Sequence, residues 1–170
     1  MVELLVGLAV FAVAIGAIYF VLTNEVAASS VTGHFIETQQ GARLAMELMV
    51  EEARWADGIV SASTSPTAVT VHIPAPNPLL GNQEYQATYT LLGDGTLQRT
   101  VVPAGGAAVA STMASHVTGL TMTFYDNANP PNPLPAALAP SAYQMGLSIT
   151  VTVGQQFRTF ASTVSLRNKP

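Results

Sequence analysis

The stretch Glu3-Leu-Leu-Val-Gly-Leu-Ala-Val-Phe-Ala-Val-Ala-Ile-Gly-Ala-Ile-Tyr-Phe-Val-Leu22 decides how the rest of the chain is read. From Leu4 to Leu22 there are 19 residues and no charge. A helix rises about 1.5 Å per residue, so this run reaches roughly 28 Å, close to the roughly 30 Å of a bilayer's hydrocarbon core. Glu3 stands at its head. A simple anchor needs no carboxylate there. A charge at the edge of an apolar helix is costly unless it is paired or reaches water, which makes Glu3 a functional candidate.

Past Leu22 the pattern changes without a helix breaker. Thr23-Asn24-Glu25-Val26-Ala27-Ala28-Ser29-Ser30 is small and polar but contains neither Pro nor Gly. From Val31 apolar residues recur at helical spacing: Val31, Phe35, Ala42, Ala45, Leu48, Met49 and Ala53, with Leu44 and Trp55 beside the stripe. Arg43 and Glu47 stand one turn apart and are placed to pair. Asp57-Gly58 is a stop signal. The spacing predicts one helix from near Met1 to about Asp57, on the order of 85 Å long. Residues 1–24 are its apolar half, destined for membrane or for neighbouring subunits. Residues 25–170 form the globular part, in which the amphipathic half packs on its own domain. Gly7 and Gly16 interrupt the apolar half, each weakening a helix by about 1 kcal/mol relative to Ala. They either permit close helix approach or, at Gly16, mark a place where the helix melts on leaving the bilayer.

Beyond Gly58 the period becomes two. Ala68–Ile73 alternates as a strand. Glu84–Leu92 and Thr96–Val102 flank Gly93-Asp94-Gly95, a hairpin signal because glycine accepts the positive φ of tight turns. Pro103–Ala110 reads as a loop. His116–Tyr125 is a strand with Val117, Leu120, Met122 and Phe124 mostly on one side. Asp126–Pro140, with five prolines and three asparagines, reads as a long surface loop. Tyr143–Val153 and Phe157–Leu166 form a second hairpin around Gly154-Gln155-Gln156. The expected fold class is α+β: a long N-terminal helix packed by a mainly antiparallel sheet of four or five strands.

Charged residues make up only 9% of the chain, against roughly 25% in ordinary soluble domains. The surface is instead Thr, Ser, Ala, Asn and Gln, which suits packing against copies of itself or decoration with sugars. Net charge is −4 without a basic patch, so nucleic acid is not expected as a partner. There are 0 cysteines, so no disulfide closes any loop. The first basic residue is Arg43, whereas a secretory signal opens with Lys or Arg; a mature chain whose basic leader is gone is expected.

No pattern supports catalysis or a cofactor. His34, His72 and His116 are far apart in sequence, and none has a partner at metal-ligand spacing, so no metal site is expected. Asp126-Asn127-Ala128-Asn129 offers oxygens but lacks the spacing and glycine of a calcium loop. Glu51, Glu52 and Arg54 read as a solvated helix face. Ser61–Thr67 reads as a polar loop able to accept O-linked sugars. The helix aromatics Phe11, Tyr19, Phe20, Phe35 and Trp55 read as packing groups.

The run Val2-Glu3-Leu4-Leu5-Val6-Gly7-Leu8-Ala9-Val10, continued apolar to Leu22, resembles the amino-terminal segment of type IV pilins and type II secretion pseudopilins. Val117–Asp126 and Phe160–Asn168 resemble, more loosely, minor pilins and pseudopilins of the pilus-assembly W and secretion J type. The resemblance implies a leader cut off by a prepilin peptidase, and two more residues ahead of the glutamate than this chain carries. Pilins often place a proline near Phe20, and this chain has none there. The resemblance also implies a single-pass inner-membrane subunit with an outward domain. Assembly machinery would extract it into an extracellular filament on a bacterial surface, a helical homopolymer of its own copies. Glu3 and the amino terminus at Met1 are then the expected assembly residues, since no Lys or Arg before Arg43 could partner Glu3. The expected function is a filament's structural subunit, without enzyme activity. The alternatives are a minor pseudopilin that primes or tips a short secretion fibre, and a single-pass anchored periplasmic binding domain.

Overall fold

A computed structural model of the chain describes residues 2–64, 67–128 and 130–166. One helix, α1 (Val2–Trp55), opens the chain. Nine strands follow among the described residues: β1 (Gly58–Thr64), β2 (Thr67–Ile73), β3 (Tyr85–Leu91), β4 (Leu97–Pro103), β5 (Val109–Ala114), β6 (Val117–Tyr125), β7 (Pro133–Leu134), β8 (Gln144–Val153) and β9 (Gln156–Ser165). A 3₁₀ helix, Ala136–Ser141, lies between β7 and β8. The chain divides into two compact units, Met1–Ile36 and Glu37–Pro170. The fold is α+β, a long apolar-headed helix followed by antiparallel sheets.

The first unit is α1 as far as Ile36. The second contains the rest of α1 and two sheets. One sheet has the order β1-β2-β3-β4-β5 and the other β7-β6-β8-β9, with every neighbouring pair antiparallel. The expected single sheet is therefore two. The chain passes from one to the other at His116, whose φ of 56° turns it between β5 and β6. There the β3–β4 turn meets the start of β6: Val117 N–H donates to the Gly95 carbonyl at 2.9 Å.

Alternating apolar residues place the core. In β2, Val69, Val71 and Ile73 face inward, and they stand opposite Tyr89, Ala87 and Tyr85 of β3. Met145, Leu147, Ile149 and Val151 do the same in β8. Ala42, Ala45, Met49 and Ala53 of α1 join the same core at 0–2% exposure. The small alanines let helix and sheets approach closely. Burying the larger of these side chains stabilises the fold by about 1.5–3 kcal/mol each.

The helix stripe shifts slightly from its expected position. Thr38, Met46 and Glu52 are buried, while Leu44 is exposed. Leu44 stands beside the stripe and turns outward with Arg43 and Glu47, whose side chains pair at 2.9 Å. Of the expected solvated face Glu51, Glu52 and Arg54, Glu51 and Arg54 are exposed, but Glu52 is turned into the core.

Three segments expected to be loops carry structure. Of the expected Ser61–Thr67 polar loop, Ser61–Thr64 belongs to β1 and Thr67 opens β2; Ser65 and Pro66 lie outside the described residues. β1 is an edge strand with a bulge between Ile59 and Ser61, and Ile59 is its one buried residue, so it leaves almost no period-two signal. The same holds for β5, an edge strand exposed along most of its length, which begins inside the expected Pro103–Ala110 loop. The proline-rich Asp126–Pro140 segment pairs with β6 through β7 and then forms the 3₁₀ helix, whose Ala139 is fully buried. Proline fixes φ near −65° and fits an edge pairing of two residues. Both predicted hairpins form, β3 with β4 and β8 with β9. Of the two glycines in the first turn only Gly95 has a positive φ, 80°.

Candidate functional site

The first unit presents a long, exposed apolar helix surface. Val2–Thr23 is 22 residues long with a mean hydropathy of 2.7, and none of its described side chains is buried. Leu4 is 74% exposed and Phe11 66%. Soluble proteins do not leave so long an apolar surface to water. The segment has the length and composition of a membrane-spanning or signal helix. Its carboxy-terminal end is satisfied: the Thr23 hydroxyl donates back to the Tyr19 and Phe20 carbonyls at 3.1 and 3.0 Å. Thr23 thereby closes the apolar run without an open hydrogen-bond donor.

Glu3 is exposed in the first turn of α1, where the helix dipole favours a negative charge. Met1, the other expected assembly residue, lies outside the described residues. α1 is helical through Gly16, and a Cβ added at Gly7 or Gly16 would meet nothing within 4 Å. Both glycines therefore leave shallow notches on the exposed helix surface.

The second unit holds a buried ionic cluster that sequence reasoning missed. Glu52 of α1 is completely buried. Its carboxylate accepts the Tyr85 hydroxyl at 2.8 Å, the Tyr89 hydroxyl, and the Arg99 guanidinium, whose Nε lies 3.1 Å from Glu52 Oε2. Burial, with the Glu52 charge beside them, pushes both tyrosine hydroxyls well above their ordinary value. Burial alone would lower Arg99, but the Glu52 hydrogen bond and charge outweigh it and hold the guanidinium above its usual range. The cluster joins α1 to β3 and β4. A signal for it existed: Glu52 stands three residues after Met49 and seven after Ala45, on the buried stripe.

A second cluster ties the end of α1 to the first sheet. His72 Nδ1 lies 2.7 Å from Asp57 and Nε2 lies 2.9 Å from Glu84. Burial pulls the imidazole down, but its hydrogen bonds to the Glu84 and Asp57 carboxylates and their charges raise it above 6.5. His34 is exposed, and His116 Nδ1 lies 3.2 Å from the Ser115 hydroxyl. Asp126 is occupied by its own loop: it accepts the Asn132 side-chain amide at 3.0 Å and the backbone N–H groups of Asn132 and Ala128. Those bonds hold its carboxyl below the ordinary range. Among the described residues no group of three His, Cys, Asp or Glu side chains is placed to hold a metal ion.

No protein-family model matches the chain, and no curated protein matches it. The arrangement itself, an apolar N-terminal helix followed by antiparallel sheets, is consistent with a pilin-like fold.

Proposed function

We propose that this chain is a non-catalytic structural subunit of a type IV pilus-like extracellular filament, polymerising through its N-terminal helix. The observation that carries the proposal is the exposed apolar helix Val2–Thr23, headed by a single carboxylate at Glu3. The subunit rests in the inner membrane, a prepilin peptidase frees its amino terminus, and assembly machinery draws it into a bundle of identical helices. Leaving lipid for that bundle exchanges lipid contacts for close packing between helices, which small residues such as Gly7 and Gly16 permit. Glu3 then passes from the interface into an apolar surround, where an unpaired charge costs several kcal/mol. Its partner is the amino terminus of a neighbour, and that pairing sets the axial register of each arriving subunit.

A second reading, a minor pseudopilin that primes or tips a short secretion fibre, is favoured by the resemblance of the β6 and β9 sequences to such proteins. It uses the same helix and the same carboxylate, and differs in abundance within the fibre.

Glu3→Gln tests the proposal, because it removes the charge and keeps the shape. The subunit should fold and enter the membrane as before but be incorporated poorly. Normal-length filaments built from Glu3→Gln subunits alone would contradict the role assigned to Glu3.

A further inference from the structure

The outermost strands of a sheet present unpaired N–H and C=O groups, and proteins blunt such edges with bulges, prolines or covering segments. Among the described residues, two of the outermost strands are blunted. β1 carries a bulge, and the 3₁₀ helix Ala136–Ser141 packs against it. β7 is two residues long and begins with Pro133. The other two, β5 and β9, are open. The bulge of β5 is confined to Met113 near its end; Val109–Thr112 pair regularly with β4 and are exposed. β9 pairs with β8 over 10 residues without a shift and contains no proline.

The β8–β9 turn decides which groups β9 offers. Val153 pairs with Gln156 across the two-residue turn Gly154-Gln155. Residues flanking such a turn exchange both backbone hydrogen bonds, and the pattern alternates from there. The backbones of Phe157, Thr159, Ala161, Thr163 and Ser165 therefore turn to the open side.

Charge distinguishes the two open edges. All the acidic residues precede Asn127, and the one charge on β9 is Arg158. At the end of β5 a groove of about 280 Å³ lies between that strand and α1, with Glu37 among its lining residues. Every neighbouring pair in both sheets is antiparallel. Antiparallel pairing of β9 with another copy's β5 would set the start of β9, with Phe157 and Arg158, against the end of β5, with Glu37. Phe157 is 72% exposed, an uncovered aromatic ring beside the one β9 charge.

We infer that β5 and β9 join copies of this chain, β9 of one copy adding antiparallel to the β5 edge of the next. The backbones supply the hydrogen bonds, Phe157 meets the groove at the end of β5, and Arg158 meets Glu37. A copy joined at both edges leaves neither open, and the contact is head-to-tail, as a polymer requires. Pairing β9 with a second β9 would leave β5 open and bring no acid to Arg158. The inference rests on the filament reading for the identity of the partner and adds to it a contact outside the apolar helix.

The test uses cells expressing two differently tagged full chains, one with Ala110→Cys and the other with Thr159→Cys, Ala161→Cys or Thr163→Cys. The chain has 0 cysteines of its own, so every disulfide formed on oxidation reports a contact between introduced groups. Paired strands bring Cα atoms to about 5 Å, within disulfide reach. Ala110→Cys should cross-link to at least one β9 position in preference to either homotypic disulfide. Adding Arg158→Glu to the β9 chain should lower that yield about fivefold, and Glu37→Arg on the β5 chain should restore it. Absence of the mixed disulfide, a dominant Ala161→Cys homodimer, or a yield indifferent to both charge changes would overturn the pairing. Electron microscopy of the same cells separates the two proposals: fibres without the mixed disulfide contradict the pairing alone, and the mixed disulfide without fibres supports the pairing and contradicts the filament.

Discussion

Tyr85 and Glu52 stand 33 residues apart in the chain, yet the Tyr85 hydroxyl donates to Glu52 Oε1 at 2.8 Å inside the core. With Tyr89 and Arg99 it satisfies a carboxylate that would otherwise be intolerable there. Removing one partner of such a cluster is expected to cost far more than the net worth of the pair, because the remaining charge is stranded. Glu52→Ala should lower domain stability by about 3–5 kcal/mol, with Arg99→Ala comparable. The double variant should cost less than the sum, since neither charge is then left alone. Thermal unfolding of the three variants checks this; strictly additive losses would mean the groups do not act together.

That cluster also shows where sequence reading reaches its limit. The helix stripe through Ala42, Ala45, Met49 and Ala53 and the β3–β4 and β8–β9 hairpins were legible, because each buries residues at a fixed period. Glu52 lies on the same stripe, but its charge argued for solvent, and its partners come from strands no local pattern connects to it. β1 and β5 were hidden because an edge strand buries few side chains, and β7 because proline masks a pairing of two residues. The apolar helix and Glu3 were plain in the sequence, since they depend on composition and order alone.

His72 gives the second sheet-to-helix tie a pH dependence. Its folded pKa is raised above the unfolded value of 6.5, so its contribution is fully present below that value and is lost as pH rises through the folded pKa. The melting-temperature gap between wild type and His72→Gln should therefore be widest near about pH 6 and narrow toward about pH 8.5. A gap that widens with rising pH would contradict the pairing with Asp57 and Glu84.

Gly95 has a φ of 80°, and an added Cβ would meet the Val117 carbonyl oxygen at 3.2 Å. Gly95→Val should destabilise the second unit by about 1–3 kcal/mol, through backbone strain and through this crowding. It should impair subunit folding before it affects assembly. An unchanged melting curve would show that the turn tolerates a β-branched residue.

In a filament the helix is expected to loosen around Gly16, although it is helical there in this structure. Gly16→Ala, worth about 1 kcal/mol of helix propensity, should then favour the membrane-bound form and reduce filament yield. A filament map with unbroken helical density from Leu4 to Asn24 would remove this expectation.

The filament proposal as a whole meets its most direct test in electron microscopy of fibres sheared from the surface of cells expressing the chain, with their protein identified. The account predicts fibres in which this chain is the repeating subunit and residues 2–23 form the central helical bundle. Its complete absence from every fibre, with the chain remaining in the membrane fraction, would contradict the account.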